Sequence, residues 1–383
     1  MIYALPYLLL VCLYGTLAVF YHRAEDDKTR LYLEIASIGI FIFFFGFRGF
    51  VFFDWTMYYQ HFYNIPDFRT LMTMDVSKWA TNPGYVLLNV ACRAVVPNYH
   101  FFVFVCTSIC AILLMRFFKK YTDNIPLSFM LMLSINGIMT FTDLMRNSLS
   151  ILLFLNSLQY LYERKPLQYF AINLLGLTFH TTAIIALPLY FFLHRRINRW
   201  ILLGLFLAAN TMYLMHVPIL KTLIGLVADI VAPSLKSWLE DYTTMDKDAG
   251  FNLGIGYERI ITALLLFFFI DKLRDMRKEN DIFINSTYLY LILFLVFSEF
   301  TSVSLRLSTL FSFGYWVIWG DLIKCFEFKS NRHLFALFLG VYCLMRTYSA
   351  TNMQLAEYEN ILISAKPYNE RILEFRQHFN DKR

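Results

Sequence analysis

The chain has 383 residues, of which 58% are hydrophobic and only 16% are charged. Soluble domains contain about 25% charged residues, so this composition argues against a soluble protein and predicts a polytopic, all-α membrane protein. The net charge of +6 comes from basic loops between apolar segments, and it does not support binding to nucleic acid.

Apolar segments recur along the whole chain and predict about ten full membrane spans. These cover residues 2–21, 31–52, 100–118, 125–142, 146–162, 199–217, 257–271, 285–303, 306–325 and 332–349. Two further segments do not fit a simple span. Residues 84–96 are too short to cross the bilayer as a helix, and residues 167–193 are too long for one span and too short for two. We expect these two to be re-entrant or broken.

Basic loops predict the orientation, because Lys and Arg in short loops favour the cytoplasm. The basic loops are His22–Arg30, Arg116–Lys120, Glu163–Lys165, His194–Arg199, Asp271–Lys278 and Lys324–Arg332. All of them fall on one side if the two irregular segments do not fully cross. If both crossed, the chain would have about twelve spans and two of these loops would move outside.

The preferred ten-span topology places both termini outside. It predicts extracytoplasmic loops near residues 53–99 and 218–256 and a polar tail over residues 350–383. We see no internal repeat, so residues 1–383 are expected to form a single membrane domain.

Four arginines lie inside or at the edge of apolar stretches: Arg48, Arg146, Arg259 and Arg306. An ionisable residue in such a position indicates a functional site, and a guanidinium readily forms paired hydrogen bonds to phosphate oxygens. In the ten-span topology all four approach the outer leaflet. The sequence therefore predicts one outward-facing site for a polyanionic headgroup.

The segment from Phe43 to Phe62 carries the densest group of candidate residues. Asp54 follows Arg48 by six residues and lies at i, i+4 spacing from Tyr58 on a continuing helix. Asp54 could act as a general base or bind an acceptor sugar while Arg48 holds phosphate. An Arg–Asp pair that caps a helix end beside an aromatic belt is the open alternative.

Polar residues also interrupt two later apolar segments. Asp143 and Arg146 separate two predicted spans, where a loop needs polar residues in any case, but Arg146 begins the second span and could face the bundle interior. His180 lies beside threonines in the middle of the irregular segment 167–193. Irregular backbone at membrane depth is tolerated only where it is buried or lines a cavity. His180 is therefore a candidate functional residue, although a lone interior histidine is the alternative.

The pair Glu258–Arg259 follows a glycine-rich stretch at residues 250–257. Backbone N–H groups at such a helix start can bind an anion, although a simple hinge is equally compatible with these glycines. Arg306 could instead pair with Glu299. The sequence has no metal-binding motif, and we expect an enzyme that works without a metal or other cofactor.

Several short motifs occur in a characteristic order. They are Arg48 followed by Asp54-Trp55-x-x-Tyr58-x-x-x-Phe62, then Pro83-Gly84-Tyr85-x-x-Leu88-Asn89, Arg146-Asn147, His180, Arg259, Arg306 and Pro367-Tyr368. Together they resemble the EpsG family of Wzy-like bacterial polysaccharide polymerases. The chain departs from the family at Asn82, where members often have glutamate.

The resemblance implies a glycosyltransferase-C-like fold and glycosyl transfer at the outer face of the bacterial cytoplasmic membrane. The donor would be a growing chain on undecaprenyl pyrophosphate, and the acceptor a newly flipped lipid-linked repeat unit. Membrane lipid and a chain-length regulator are the other partners we expect.

Roles follow for the candidate residues under this resemblance. The four arginines would bind pyrophosphate, and Asp54 is the leading base with His180 in reserve. The expected sugar-binding residues are Tyr58, Asn82 and Glu258.

Other functions share these features. A polysaccharide ligase would use the same lipid-linked donor and the same arginines. A transporter or flippase of lipid-linked oligosaccharide would also need broken helices and charge within the membrane. A membrane O-acyltransferase is a weaker alternative that depends on His180 alone.

Overall fold

The computed structural model describes residues 3–73, 82–218, 222 and 253–380. This described part is helical and has no strand, so the all-α prediction is confirmed. Isolated β-bridges there join Arg48 to Asn360 and Asn360 to Ser364. The chain divides into two compact units, Met1–Tyr190 with His333–Arg383 and Phe191–Arg332.

The described residues of the first unit begin with the helices α1 to α11. They are α1 (Leu5–Arg23), α2 (Asp27–Phe41, continued by a π-helical turn Ile42–Gly46), α3 (Trp55–Asn64), α4 (Phe68–Thr73), α5 (Pro83–Val95), α6 (Tyr99–Tyr121), α7 (Ile125–Met132), α8 (Ile138–Thr142), α9 (Met145–Tyr162), α10 (Pro166–Phe179) and α11 (Ala186–Leu189).

The second unit contains α12 (Arg199–Leu214), α13 (Leu253–Met276), α14 (Asn280–Val296), α15 (Thr301–Thr309) and α16 (Phe313–Cys325). The chain returns to the first unit through α17 (Lys329–Thr351), followed by α18 (Tyr368–Asn380). Most of the predicted loop 218–256 and residues 74–81 of the loop 53–99 lie outside the described residues.

Five described segments are long and apolar enough to cross a membrane. They are Leu5–Arg23, Asp27–Gly46, Tyr99–Tyr121, Ile125–Thr142 and Lys329–Thr351. Two shorter apolar helices also overlap predicted spans. Arg199–Leu214 lies within 199–217, whereas Asn280–Val296 covers only part of 285–303, because α14 ends at Val296 and α15 begins at Thr301. These helices fit a membrane protein. The count of ten and the glycosyltransferase-C-like fold stay predictions.

Of the two segments with unusual lengths, one is a short helix and the other is broken. The segment 84–96 corresponds to α5 (Pro83–Val95), a helix of 13 residues. The segment 167–193 breaks at His180, whose extended backbone (φ −155°, ψ 137°) separates α10 from a 3₁₀ turn at Thr181–Ile185. This is the break that its length predicts. The predicted span 306–325 is also divided, because α15 ends at Thr309 and α16 begins at Phe313.

One end of the first unit gathers its basic loops. Lys119 at the end of α6 pairs with Glu34 of α2 at 2.7 Å, and Lys120 donates to Gln159 Oε1 of α9 at 2.7 Å. Asn124 Nδ2 donates to the Ala18 carbonyl of α1 at 2.9 Å. The loops after α1, α6 and α9 therefore share one end, as predicted from their charge. We call this the basic end.

The basic loops of the second unit meet in the same way. Arg274 Nη2 donates to the Ile197 carbonyl at 2.7 Å, and Lys272 Nζ donates to the Cys325 carbonyl at 3.2 Å. Within this unit α14 and α16 pack closely, since a Cβ on Gly314 would lie 2.5 Å from Thr287 Oγ1. Such close approach through a small residue is typical of helix packing in membranes.

Candidate functional site

The opposite end of the first unit holds the start of α3, and a buried carboxylate fixes it in place. Asp143 lies between α8 and α9 and is 4% exposed. Its Oδ1 accepts the backbone N–H groups of Phe53 (2.9 Å) and Asp54 (3.0 Å). These bonds satisfy donors at the helix N-terminus that have no partner within the helix. Asp54 therefore occupies a defined position at the N-cap of α3.

Asp143 is also electrostatically unusual. Burial raises its pKa to about 7, and the charge of Asp54 raises the pKa further, whereas the two N–H donors and the charge of Arg48 lower it. The site thus contains two neighbouring carboxyl groups, one of which titrates near neutral pH. A carboxyl group whose pKa is shifted towards neutral pH is typical of acid–base sites.

Arg146 in the first turn of α9 faces two tyrosines. Its guanidinium carbon lies 5.7 Å from the ring centroid of Tyr58 and 5.7 Å from that of Tyr85. Tyr58 is 5% exposed, and burial, followed by the charge of Asp54, raises its hydroxyl pKa, while a hydrogen bond with Arg146 lowers it. Arg146, Tyr58 and Asp54 therefore interact as one group.

His61 joins this group on the same face of α3. Its ring stacks on Tyr85 with centroids 5.8 Å apart and planes at 23°. Burial, and then the charge of Arg146, lowers the His61 pKa, so the neutral imidazole is favoured. Its Nε2 is buried and has no hydrogen-bond partner within the described part of the chain.

The Pro-Gly motif at the start of α5 packs on the broken segment. A Cβ on Gly84 would lie 2.2 Å from Thr178 Oγ1, so only glycine permits this approach. Asn82 immediately before it is 6% exposed and occupies the N-cap position of α5 without a side-chain cap bond. The predicted sugar ligand Asn82 therefore lies at the junction of α5 and α10.

His180 is tied to the helix that carries Arg146. Its Nδ1 lies 2.8 Å from Thr182 Oγ1, and Thr182 Oγ1 donates to Asn147 Oδ1 at 2.6 Å. Asn147 follows Arg146 directly. His180 thus both forms the helix break and connects it to the Arg146-Asn147 motif.

Arg48 is buried at the same end and is satisfied by the protein itself. It is 4% exposed and donates to the Phe45 carbonyl, to Thr107 Oγ1 (3.5 Å) and to the Thr142 carbonyl (3.3 Å). These bonds tie the π-helical end of α2 to α6 and to the end of α8. This geometry favours a structural role, in which Arg48 holds the helix ends beside Asp143 together. A contact between Arg48 and phosphate stays a prediction.

The C-terminal segment after α17 closes over the loop between Arg48 and Asp54. Gly49 N–H donates to the Glu359 carbonyl and Phe52 N–H to the Leu355 carbonyl, both at 2.8 Å. Phe52 is 1% exposed and has a positive φ of 66°, an uncommon conformation for a bulky residue. Such strain persists only where surrounding structure enforces it, often near functional sites. Here the enforcing contact is the C-terminal segment.

An ion-pair cluster holds this segment in place. Arg371 is 4% exposed and donates to the Phe50 carbonyl at 3.1 Å and to Glu357 Oε2 and Glu374 Oε2, both at 2.8 Å. Lys366 pairs with the same two carboxylates. In the Pro367-Tyr368 motif, Tyr368 stacks on Tyr59 of α3 with centroids 4.0 Å apart.

The second unit carries the other predicted ligands. Glu258 and Arg259, in α13, are each 6% exposed. Glu258 Oε1 accepts from Thr262 Oγ1 at 2.8 Å, and the Arg259 guanidinium carbon lies 3.4 Å from the Phe294 ring centroid. Arg306 is exposed in the last turn of α15. The glycine-rich stretch before Glu258 lies largely outside the residues whose side chains are described.

The structure therefore gathers the first-unit candidates at one end: Arg48, Asp54, Tyr58, Asn82, Arg146 and His180. The convergence of all four arginines stays a prediction, because Arg259 and Arg306 belong to the other unit. From the sequence, Tyr85 was only a motif residue, His61 had no assigned role, and Asp143 was no more than a loop residue. The spacing of Asp54, Tyr58 and His61 at i, i+4 and i+7 could have indicated the shared face.

No group of three or more His, Cys, Asp or Glu side chains that could hold a metal ion occurs among the described residues. The charged groups at this end are therefore arginines and carboxylates rather than a recognisable metal-ligand set.

The EpsG family model matches residues 31–368, which include Arg48, Arg146 and the C-terminal Pro367-Tyr368. The chain belongs to the EpsG family. This is a family of Wzy-like polysaccharide polymerases, and membership implies a glycosyltransferase-like polymerase. Searches of curated proteins and of solved structures give no match. The predicted family is thus confirmed over nearly the whole chain.

Proposed function

We propose that this EpsG-family protein joins undecaprenyl-pyrophosphate-linked oligosaccharide repeat units at the outer face of the cytoplasmic membrane. The observation that carries the proposal is the grouping of Arg146, Tyr58 and Asp54 at the end of the first unit opposite its basic loops. Because basic loops favour the cytoplasm, this grouping would face outward, where newly flipped repeat units are available.

The proposed reaction is a substitution at the anomeric carbon of the donor chain. A hydroxyl oxygen of the acceptor sugar forms the new glycosidic bond, and the bond between the anomeric carbon and the pyrophosphate oxygen breaks. Undecaprenyl pyrophosphate leaves with the bonding electron pair, and the hydroxyl proton passes to a base. No nucleotide sugar is consumed.

Arginine side chains supply the main stabilisation in this proposal. Negative charge grows on the departing pyrophosphate in an oxocarbenium-like transition state, and fixed cations stabilise charge as it develops. Arg146 is the leading pyrophosphate ligand, because its guanidinium lies against the tyrosines. Arg259 and Arg306 are further proposed ligands, and Arg48 acts mainly by holding the loop that carries Asp54. Since guanidinium groups provide the charge, we propose a metal-independent reaction.

Asp54 is the proposed base. A well-placed carboxylate that accepts the hydroxyl proton contributes roughly 10²–10⁴-fold to the rate. Asp143 positions Asp54 through its backbone, and His61 and His180 are the alternative bases. Tyr58, Asn82 and Glu258 are proposed to contact sugar, and a chain-length regulator is the proposed protein partner.

Complementation of a deletion strain separates this function from its rivals. Wild-type protein should restore a ladder of lengthening polysaccharide chains on a gel, and Arg146→Ala should leave only single repeat units. A ligase would leave finished chains unattached without changing their length. A flippase would leave lipid-linked units on the cytoplasmic side, so either pattern would contradict the proposal.

A further inference from the structure

An open groove lies between α2 and α6 at the basic end of the first unit, away from the candidate site. Its volume is about 660 Å³. The groove is lined by Ile38, Ile112, Met115, Arg116, Lys119 and Lys120. Both helices belong to candidate membrane spans. The groove is therefore part of a surface that a membrane would cover.

The lining residues separate into an apolar floor and a cationic rim. Ile112 is 62% exposed and lies one turn before Arg116 on α6, so the apolar wall continues directly into the charged rim. Lys119 pairs with Glu34 at 2.7 Å, and Lys120 donates to Gln159 Oε1 at 2.7 Å. Arg116 is exposed and has neither a hydrogen bond nor an ion pair within the described part of the chain.

Among the described residues, the cations of the rim outnumber the carboxylates near them, Glu34 and Glu163. Three cations line the groove, and Glu34 is the one carboxylate paired with any of them among the described residues. An uncharged or zwitterionic ligand would not neutralise this excess positive charge. An anionic group with an apolar chain would match both the rim and the floor.

We propose that this groove binds an anionic phospholipid, with its phosphate on Arg116, Lys119 and Lys120 and an acyl chain along Ile38, Ile112 and Met115. The charge pattern of the loops places this end at the cytoplasmic surface. There anionic headgroups are concentrated, and basic pockets between membrane helices recognise them. The site is separate from the proposed reaction and would anchor α2 and α6 in the inner leaflet.

Native mass spectrometry of the purified chain tests this proposal with phosphatidylglycerol, phosphatidylcholine and undecaprenyl phosphate as probes. Wild-type protein should bind phosphatidylglycerol about 10-fold more tightly or better. The triple variant Arg116→Gln/Lys119→Gln/Lys120→Gln should lose this preference. The matched control Arg23→Gln/Lys28→Gln/Lys165→Gln removes the same charge from the same end and should retain it.

Two further variants keep the test decisive. Ile112→Trp fills the groove without changing charge and should also weaken phosphatidylglycerol binding. Arg116→Gln alone replaces an exposed side chain and takes the place of the triple variant if that variant unfolds. It should weaken the preference for phosphatidylglycerol. Equal binding of the two lipids by wild-type protein, or equal losses in the triple and control variants, would overturn the proposal. Preference for undecaprenyl phosphate over phosphatidylglycerol would overturn it as well, because the occupant would then be the carrier lipid.

Discussion

Arg146 is the residue on which the proposed chemistry depends most. Its guanidinium lies against Tyr58 and Tyr85, and the planar group can stack on aromatic rings while its N–H groups bind a phosphate. Lysine has the same charge but neither the plane nor the paired donors. The sequence indicated Arg146 because a charged residue begins an apolar helix there. It could not indicate Tyr85, which reaches Arg146 only through the packing of α5.

Replacement of Arg146 by lysine tests this role. We expect Arg146→Lys to lower the polymerisation rate about 10²-fold, since fixed donors at developing charge contribute on this order, while the thermal unfolding temperature stays close to that of wild type. Arg69→Lys, on an exposed residue of α4, is the control and should retain full activity. Near-normal polymer from Arg146→Lys would remove Arg146 from the proposed site.

Asp143 makes stability depend on pH in a defined direction. Its pKa is about 7 in the folded protein, against about 3.9 in an unfolded chain. Between these values the folded protein holds the extra proton, so the free energy of unfolding falls as pH rises from about 4 to about 7. Asparagine can still accept the two N–H bonds but cannot titrate.

Thermal unfolding in detergent at pH 5 and pH 8 measures this effect. The unfolding temperature of wild-type protein should fall more between these pH values than that of Asp143→Asn. Asp67→Asn replaces an exposed carboxyl group and is the control. Its unfolding temperature should fall between these pH values by as much as that of wild type. Equal falls in wild-type protein and in Asp143→Asn would show that Asp143 does not titrate in this range.

Among the structural elements, the C-terminal segment has a role in holding the candidate site that its composition does not indicate. The sequence predicts a polar tail at residues 350–383 from polarity and length alone. In the structure, Leu355 and Glu359 accept backbone hydrogen bonds from the loop before Asp54. These contacts join residues some 300 positions apart, and no local pattern encodes such pairing. The segment thus acts as a clamp on the loop between Arg48 and Asp54.

Loss of the buried arginine should release this clamp. Arg371→Met removes the buried cation that Glu357 and Glu374 share, leaves them with Lys366 alone, and leaves the Phe50 carbonyl without its donor. A lost hydrogen bond to a charged group costs about 1.5–3 kcal/mol, so we expect a lower unfolding temperature together with reduced polymer. Arg376→Met, on an exposed residue of α18, is the matched control. Equal unfolding temperatures for the two variants would contradict the clamp.

The sequence predicts some helix breaks correctly, in contrast to the C-terminal segment. The length of the segment 167–193 predicted a break, and the structure places it at His180. The division of 306–325 between Thr309 and Phe313 was not predicted, because no proline or glycine lies between these two residues to mark a break. Apolar content therefore predicts where helices lie, whereas backbone geometry within an apolar run depends on packing.

At the scale of the whole molecule, the proposal requires the two ends of the first unit to face opposite sides of the membrane. The clustering of basic loops supports this orientation. Single cysteines in a Cys12→Ser background, labelled with a membrane-impermeant maleimide, measure it. Tyr63→Cys and Glu370→Cys should react in intact spheroplasts, and Lys28→Cys and Lys165→Cys only after permeabilisation. The reverse pattern would place the candidate site on the wrong side for flipped repeat units.

The most direct test of the central claim is polymerisation by the purified protein. Full-length chain is incubated in nanodiscs with an undecaprenyl-pyrophosphate-linked repeat unit and a metal chelator, without nucleotide sugar, and product length is read on a gel. Wild-type protein should yield a ladder of chains with stoichiometric release of undecaprenyl pyrophosphate, and Arg146→Lys should yield almost none. Repeat units that remain single in the presence of active, folded wild-type protein, or that extend equally well with Arg146→Lys, would contradict the account.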